Sequence, residues 1–196
     1  MLNKTNSNKR LESTKKYIDT LSEQYSKLNI VRVDLSYKKP HSDSMSLEDV
    51  NKDIDHLFNN MRSNPKIFKD KIGYILKKEY TADKGVHCHA IFIYDGQKVQ
   101  KDSYKAEQIG EYWNKHITKD KGTYHNCHRN KYERKGIGML DYKDSDKRKI
   151  LDEDVIDYLC KDTQDITPLK ENKKQRAFTR GTIPKSKGTI GRPRNK

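Results

Sequence analysis

The chain has 196 residues, with 42 Lys+Arg against 28 Asp+Glu, a net charge of +14 and a mean hydropathy of −1.15. That length fits one domain with its own core and basic extensions at both ends; the divisions expected are 1–28, 29–169 and 170–196. Nothing in the sequence resembles a secretory signal or a membrane span, the start being polar (Met1-Leu2-Asn3-Lys4), and three cysteines, an odd number, argue for reduced thiols in a cytosol.

In chain order, Ser13 to Leu28 has helical content, with Tyr17, Leu21, Tyr25 and Leu28 on one stripe. A strand from Ile30 to Tyr37 alternates Val31, Val33, Leu35 and Tyr37 inward with Arg32, Asp34 and Ser36 outward. Ser46 and Asp49 form a capping box for a helix bearing Leu47, Val50, Ile54, Leu57, Phe58 and Met61, with Pro65 just past its end.

Ile72 to Tyr80 and Val86 to Tyr94 read as two strands, and Thr81-Ala82-Asp83-Lys84-Gly85 between them has turn composition. His87 and His89 then point to one face, about 7 Å apart along the strand. A chance H-x-H pair is unremarkable in a chain with 7 His; the carboxylate upstream gives it weight. With Tyr80 opposite Val86, Glu79 falls directly opposite His87, with Cβ atoms about 5 Å apart. Glu79, His87 and His89 converge as two nitrogens and one oxygen, which leaves positions open on a cation, a catalytic rather than a structural stoichiometry. Leu76, Tyr74, Val86, Ala90, Phe92 and Tyr94 would form the opposite, core face, and Cys88 falls among them as a buried apolar residue.

A helix from about Ser103 to His116 follows, then a long polar loop. Residues Lys115 to Lys135 hold seven Lys+Arg with Tyr124 and Tyr132 among them. Interleaved basic and aromatic residues suit single strands, where bases stack and phosphates pair with cations; a solvated insertion loop is an equal reading. His125, Cys127 and His128 lack a second ligand pair at zinc spacing and read as loop residues. After a short strand, Gly136 to Tyr142, Val155, Ile156, Leu159 and Cys160 have helical spacing, and Asp152-Glu153-Asp154 suits that helix's N-terminus. Tyr158 and Lys161 are i, i+3 neighbours there. With 12 tyrosines in the chain, most simply pack, but a tyrosine beside a metal and an ammonium is a competent nucleophile toward phosphorus.

The element order predicts an α+β fold with a ferredoxin-like split βαβ sheet of about five antiparallel strands and helices on one face. The other face would hold Arg32, Asp34, Lys77, Glu79, His87 and His89. From Lys170 to Lys196, 10 Lys+Arg stand against one acid, Glu171. This tail reads as disordered and either a solubility feature or a phosphate-binding polycation. Gly191-Arg192-Pro193-Arg194 is similar to the core of a minor-groove hook, although Ile190 stands where an arginine usually precedes it. Arg32, Lys77, Lys185, Lys187, Arg192 and Arg194 are the DNA-contact candidates.

E-x7-H-x-H on a hairpin followed by Y-x-x-K on a helix resembles the HUH endonuclease superfamily of rolling-circle replication initiators. Lys77 to Gln100, Ile109 to Trp113, Lys121 to Cys127, Gly136 to Leu140 and Val155 to Lys161 more closely resemble the inovirus (filamentous phage) gene-II-type replication proteins, related to the YagK/YfjJ C-terminal domain. The resemblance implies metal ligands at Glu79, His87 and His89 and a nucleophile at Tyr158. Asp162 stands where a second tyrosine would lie one helical turn on, so the match is to the single-tyrosine type.

The expected activity is nicking and joining of single-stranded DNA through a 5′-phosphotyrosyl link, with Mg²⁺ or Mn²⁺ on the metal site and Lys161 neutralising the phosphate or positioning Tyr158. The expected setting is a replication origin of a phage, prophage or plasmid in the cytoplasm of a bacterial host, with no membrane partner. No G-x-x-x-x-G-K-[ST] loop is present, so a host helicase and polymerase are implied. The rival readings are a dimeric single-tyrosine transposase and a non-catalytic nucleic-acid-binding module on the same sheet.

Overall fold

A computed structural model describes residues 6–162, 166–171 and 175–184. Helix α1 (Asn6–Gln24) leads into β1 (Lys27–Tyr37); α2 (His41–Ser44), α3 (Leu47–Asn60) and α4 (Pro65–Phe68) precede the hairpin of β2 (Lys71–Thr81) and β3 (Gly85–Asp95). Then come α5 (Asp102–Tyr112), continued by a π-helical turn at Trp113–Ile117, β4 (Gly122–Asn126) and β5 (Gly138–Asp141). A helix follows in three parts: α6 (Ser145–Ile150), a π-helical stretch at Leu151–Ile156, and α7 (Asp157–Cys160). Strand β6 (Phe178–Arg180) comes last.

The strands form one antiparallel sheet in the order β4-β1-β3-β2-β6. The outer edge of β1 is shared: β5 pairs with Lys27–Ile30 and β4 with Val33–Tyr37. Between them the Arg32 backbone N–H donates to His128 Nε2 at 3.1 Å, which satisfies a donor that neither strand reaches.

Alternation along the strands sends side chains to two covered faces. Val31, Val33, Leu35, Leu76, Ala90 and Phe92 pack under α3 and α5, in one cluster with Leu57, Ile109 and Trp113. Ile30, Ile75, Ile91 and Ile93 pack on the opposite side against Tyr17, Ile18 and Leu21 of α1 and Leu151, Val155, Ile156 and Leu159 of the three-part helix. Each fully buried aliphatic side chain contributes about 1.5–3 kcal/mol.

The expected strands, the Ser46–Asp49 capping box and the core face are present. Four expectations need correction. Helices cover both faces of the sheet, not one, because α1 joins the core instead of standing outside it. The segment read as a polar loop contains β4, docked by Tyr124, whose ring lies where a Cβ on Gly110 of α5 would fall. The segment read as the start of a disordered tail contains β6, hydrogen-bonded to Ile75–Lys77, so the strands number six. The helix bearing Tyr158 begins at Ser145, capped by the Asp144 side chain, so Asp152-Glu153-Asp154 lies in its π-helical middle and not at its start.

Candidate metal centre

The hairpin register pairs Glu79 with His87 and Lys77 with His89, and β1 brings Asp34 opposite His89 from the other side. Gly85 closes the turn at φ +65°, where a Cβ would meet the Ser42 carbonyl oxygen at 2.4 Å, so the turn requires glycine. The result is a polar half-face that continues the row of Ile75, Ile91 and Ile93.

Glu79, His87 and His89 are all buried, and their donor atoms lie within 4.8 Å of one another. Glu79 Oε2 is 3.1 Å from His89 Nε2 and 3.8 Å from His87 Nε2. Donors bound about 2.1 Å from one cation sit roughly 3–3.5 Å apart, so the three side chains fit a divalent ion with little movement.

The outer nitrogen of each imidazole faces an oxygen, as a hydrogen bond for His87 and as an ion-pair contact for His89. His87 Nδ1 lies 3.1 Å from the Gly85 carbonyl, to which it can only donate, so Nε2 is left as the free donor atom. His89 Nδ1 lies 2.9 Å from Asp34 Oδ1, and Arg32 Nε stands 3.4 Å from that same oxygen. A carboxylate behind an imidazole fixes its orientation and raises its basicity toward a metal. Burial lowers the His87 pKa. For His89 burial acts the same way, but its contacts with Asp34 and Glu79 outweigh it and the pKa is raised. Glu79 and Asp34 are held below the ordinary carboxylate range despite burial, Glu79 by His89 and Lys77, Asp34 by His89 and Arg32.

Tyr158 stands over this centre. Its ring centroid is 5.7 Å from that of His89 in an edge-on arrangement, with the Arg32 guanidinium and the Lys77 ammonium each 5.7 Å from the ring centroid. Burial and the Glu79 charge raise its pKa. Arg32 also lines a cleft of about 300 Å³ with Tyr132, Glu133, Arg134, Gly136, Ile137, Asp154 and Val155. Five of the site residues expected from sequence, Glu79, His87, His89, Tyr158 and Arg32, are thus together.

Lys77 is at the same place but is not open to a ligand: it is 3% exposed, with its ammonium 2.5 Å from Glu79 Oε1 and donating to the Lys161 carbonyl oxygen at 2.8 Å. The Lys161 side chain is half exposed and pairs with Asp157 at 3.0 Å. Lys185, Lys187, Arg192 and Arg194 lie outside the described residues.

Asp34 had a place on this face from sequence but no role, and its register opposite His89 is the signal that supplies one. The hydroxyls of the two tyrosines read as a stacking surface have partners, while the Tyr132 ring is exposed at the cleft that Arg32 lines. Tyr124 donates to Glu107 and Glu111, and Tyr132 to the Cys127 carbonyl. No helix among the described residues is long and apolar enough to cross a membrane.

Together these features define an α+β protein with a candidate Glu-His-His metal centre set against a tyrosine. The family model of the YagK/YfjJ C-terminal domain matches residues 1–181, and the chain belongs to that family. No curated protein and no solved structure matches it.

Proposed function

We propose that this protein is a metal-dependent enzyme of the HUH endonuclease type that nicks and rejoins single-stranded DNA and starts rolling-circle replication of a phage, prophage or plasmid. The observation that carries the reading is the convergence of Tyr158 on the buried Glu79-His87-His89 group. A ferredoxin-like split βαβ arrangement of the sheet belongs to the same reading, and the strand order β4-β1-β3-β2, with α3 and α5 between strands, supports it.

A Mg²⁺ or Mn²⁺ ion held by Glu79, His87 and His89 would supply Lewis acidity at the scissile phosphate. The chain's own groups do the rest. The Tyr158 hydroxyl gives up its proton and its oxygen attacks phosphorus, while the bond from phosphorus to the 3′-oxygen breaks. That oxygen takes up a proton and leaves as a 3′-hydroxyl, and the 5′-phosphate stays esterified to Tyr158. The reverse attack by the 3′-hydroxyl restores the strand and the tyrosine. Arg32, held over the Tyr158 ring and backed by Asp34, meets phosphate oxygens at the mouth of the adjoining cleft. Lys161 offers an exposed ammonium at the end of the same helix, exchanging Asp157 for phosphate. Host helicase and polymerase would open and copy the strand.

Incubation with single-stranded oligonucleotides and Mn²⁺ should give a denaturant-resistant protein–DNA adduct, with the nucleotide on the peptide containing Tyr158. Tyr158→Phe should retain fold and DNA affinity and form no adduct. Cleavage by Tyr158→Phe, with no adduct in the unaltered protein, would make water the attacking group and remove the rejoining step.

A further inference from the structure

A buried ammonium is costly unless it is paired, and Lys77 has two partners of different kinds. Its contact with Glu79 Oε1 is an ion pair rather than an aligned hydrogen bond; its directed bond goes to the Lys161 carbonyl oxygen. Lys161 is where α7 ends, its backbone extended at φ −65° and ψ 149°. One ammonium therefore joins the carboxylate of the candidate metal centre to the last turn of the helix that carries Tyr158. It lies 5.7 Å from the Tyr158 ring centroid.

We propose that Lys77 is a positioning residue that restricts Glu79 to a single metal-facing oxygen, Oε2, and clamps the Tyr158 helix against the centre. The meaning given to Tyr158 rests on the nuclease reading above; the effect on Glu79 does not. Two consequences follow from elementary electrostatics and geometry. A positive charge on the far oxygen competes with a divalent ion for the Glu79 carboxylate and repels it, so the site binds metal more weakly than its ligands alone would. In exchange, one-oxygen ligation leaves coordination positions open for a phosphate, and the nucleophile's helix is fixed to the metal ligand and not merely packed near it.

Lys77→Met removes both charge and donor, whereas Lys77→Gln removes the charge and keeps a donor. Three quantities decide: Mn²⁺ affinity by calorimetry, amide hydrogen exchange at residues 157–162, and the rate of adduct formation at saturating Mn²⁺. Both variants should bind Mn²⁺ about 10-fold more tightly and react about 100-fold more slowly. Exchange at residues 157–162 should quicken in Lys77→Met and much less in Lys77→Gln.

A general loss of structure weakens metal binding, slows the reaction and loosens the whole sheet together, so tighter binding with slower chemistry separates the two. Lys77→Gln decides the matter if Lys77→Met does not fold. Unchanged or weaker Mn²⁺ binding, with unchanged exchange at residues 157–162, would overturn the proposal. The metal and exchange readouts need no DNA: absence of an adduct in the unaltered protein overturns the nuclease reading, while tighter Mn²⁺ binding in the variants still supports the effect of Lys77 on Glu79.

Discussion

On one face of the sheet Val31, Val33, Leu35, Leu76, Ala90 and Phe92 lie under α3 and α5, with Lys78 at the rim donating to Asn51 of α3. On the other, Ile75, Ile91 and Ile93 give way within the same strands to Lys77, Glu79, His87 and His89. Both halves of that second row are buried. What differs is how burial is compensated: by apolar contact with α1 and the three-part helix in one half, and by mutual ion pairs and hydrogen bonds in the other. The large majority of buried polar groups have a hydrogen-bond or ionic partner. A cluster of them on an otherwise apolar face is where a functional site is expected.

The largest expected effect breaks the polar half alone. His87→Ala and His89→Ala should each abolish metal-dependent adduct formation, since on the proposed reading each removes one of three candidate ligands, while circular dichroism and affinity for single strands change little. Cutting at the unaltered rate in both variants would show the ligands to be misassigned.

Breaking the apolar face should give the opposite pattern. Leu57→Ala should cost about 2–5 kcal/mol in denaturant unfolding, with Mn²⁺ affinity unchanged in the protein that remains folded. A change in metal affinity beyond about twofold would mean that the two faces are coupled through the sheet.

A smaller effect sharpens the comparison at the edge of β1. His128 Nε2 accepts from the Arg32 N–H only when it is not protonated, and burial lowers the His128 pKa. The unfolded chain therefore takes up a proton before the folded one does. The stabilisation is full above the ordinary histidine pKa of about 6.5 and is lost as pH falls through the lower folded value. His128→Leu should cost about 1–3 kcal/mol at pH 7.5, and the gap to the unaltered protein should narrow toward pH 5. A gap that widens on acidification would contradict the neutral acceptor role.

How much of this was legible in the sequence follows from the same contrast. The apolar face announces itself by period, so the hairpin, the α3 helix and its Ser46–Asp49 cap are readable, and the Glu79–His87 register follows from strand pairing alone. Strands β4 and β6 are not readable. Gly122–Asn126 lies at the sheet edge with its central residues only partly covered, and Phe178–Arg180 is three residues within a basic stretch. Their strand state comes from β1 and β2 offering free edges, which is a tertiary cause. The role of Lys77 was hidden for a similar reason. A lysine on a site-lining strand reads as a ligand contact until the C-terminal end of a helix distant in sequence arrives to take its hydrogen bond.

The central claim is that the polar half-face holds one divalent ion through Glu79, His87 and His89. Pulsed electron paramagnetic resonance of the protein with one equivalent of Mn²⁺ tests it most directly, because nitrogen couplings count the bound imidazoles. Two should be seen in the unaltered protein and one in His87→Ala. A spectrum without nitrogen coupling, or two imidazoles persisting in His87→Ala, would contradict the account.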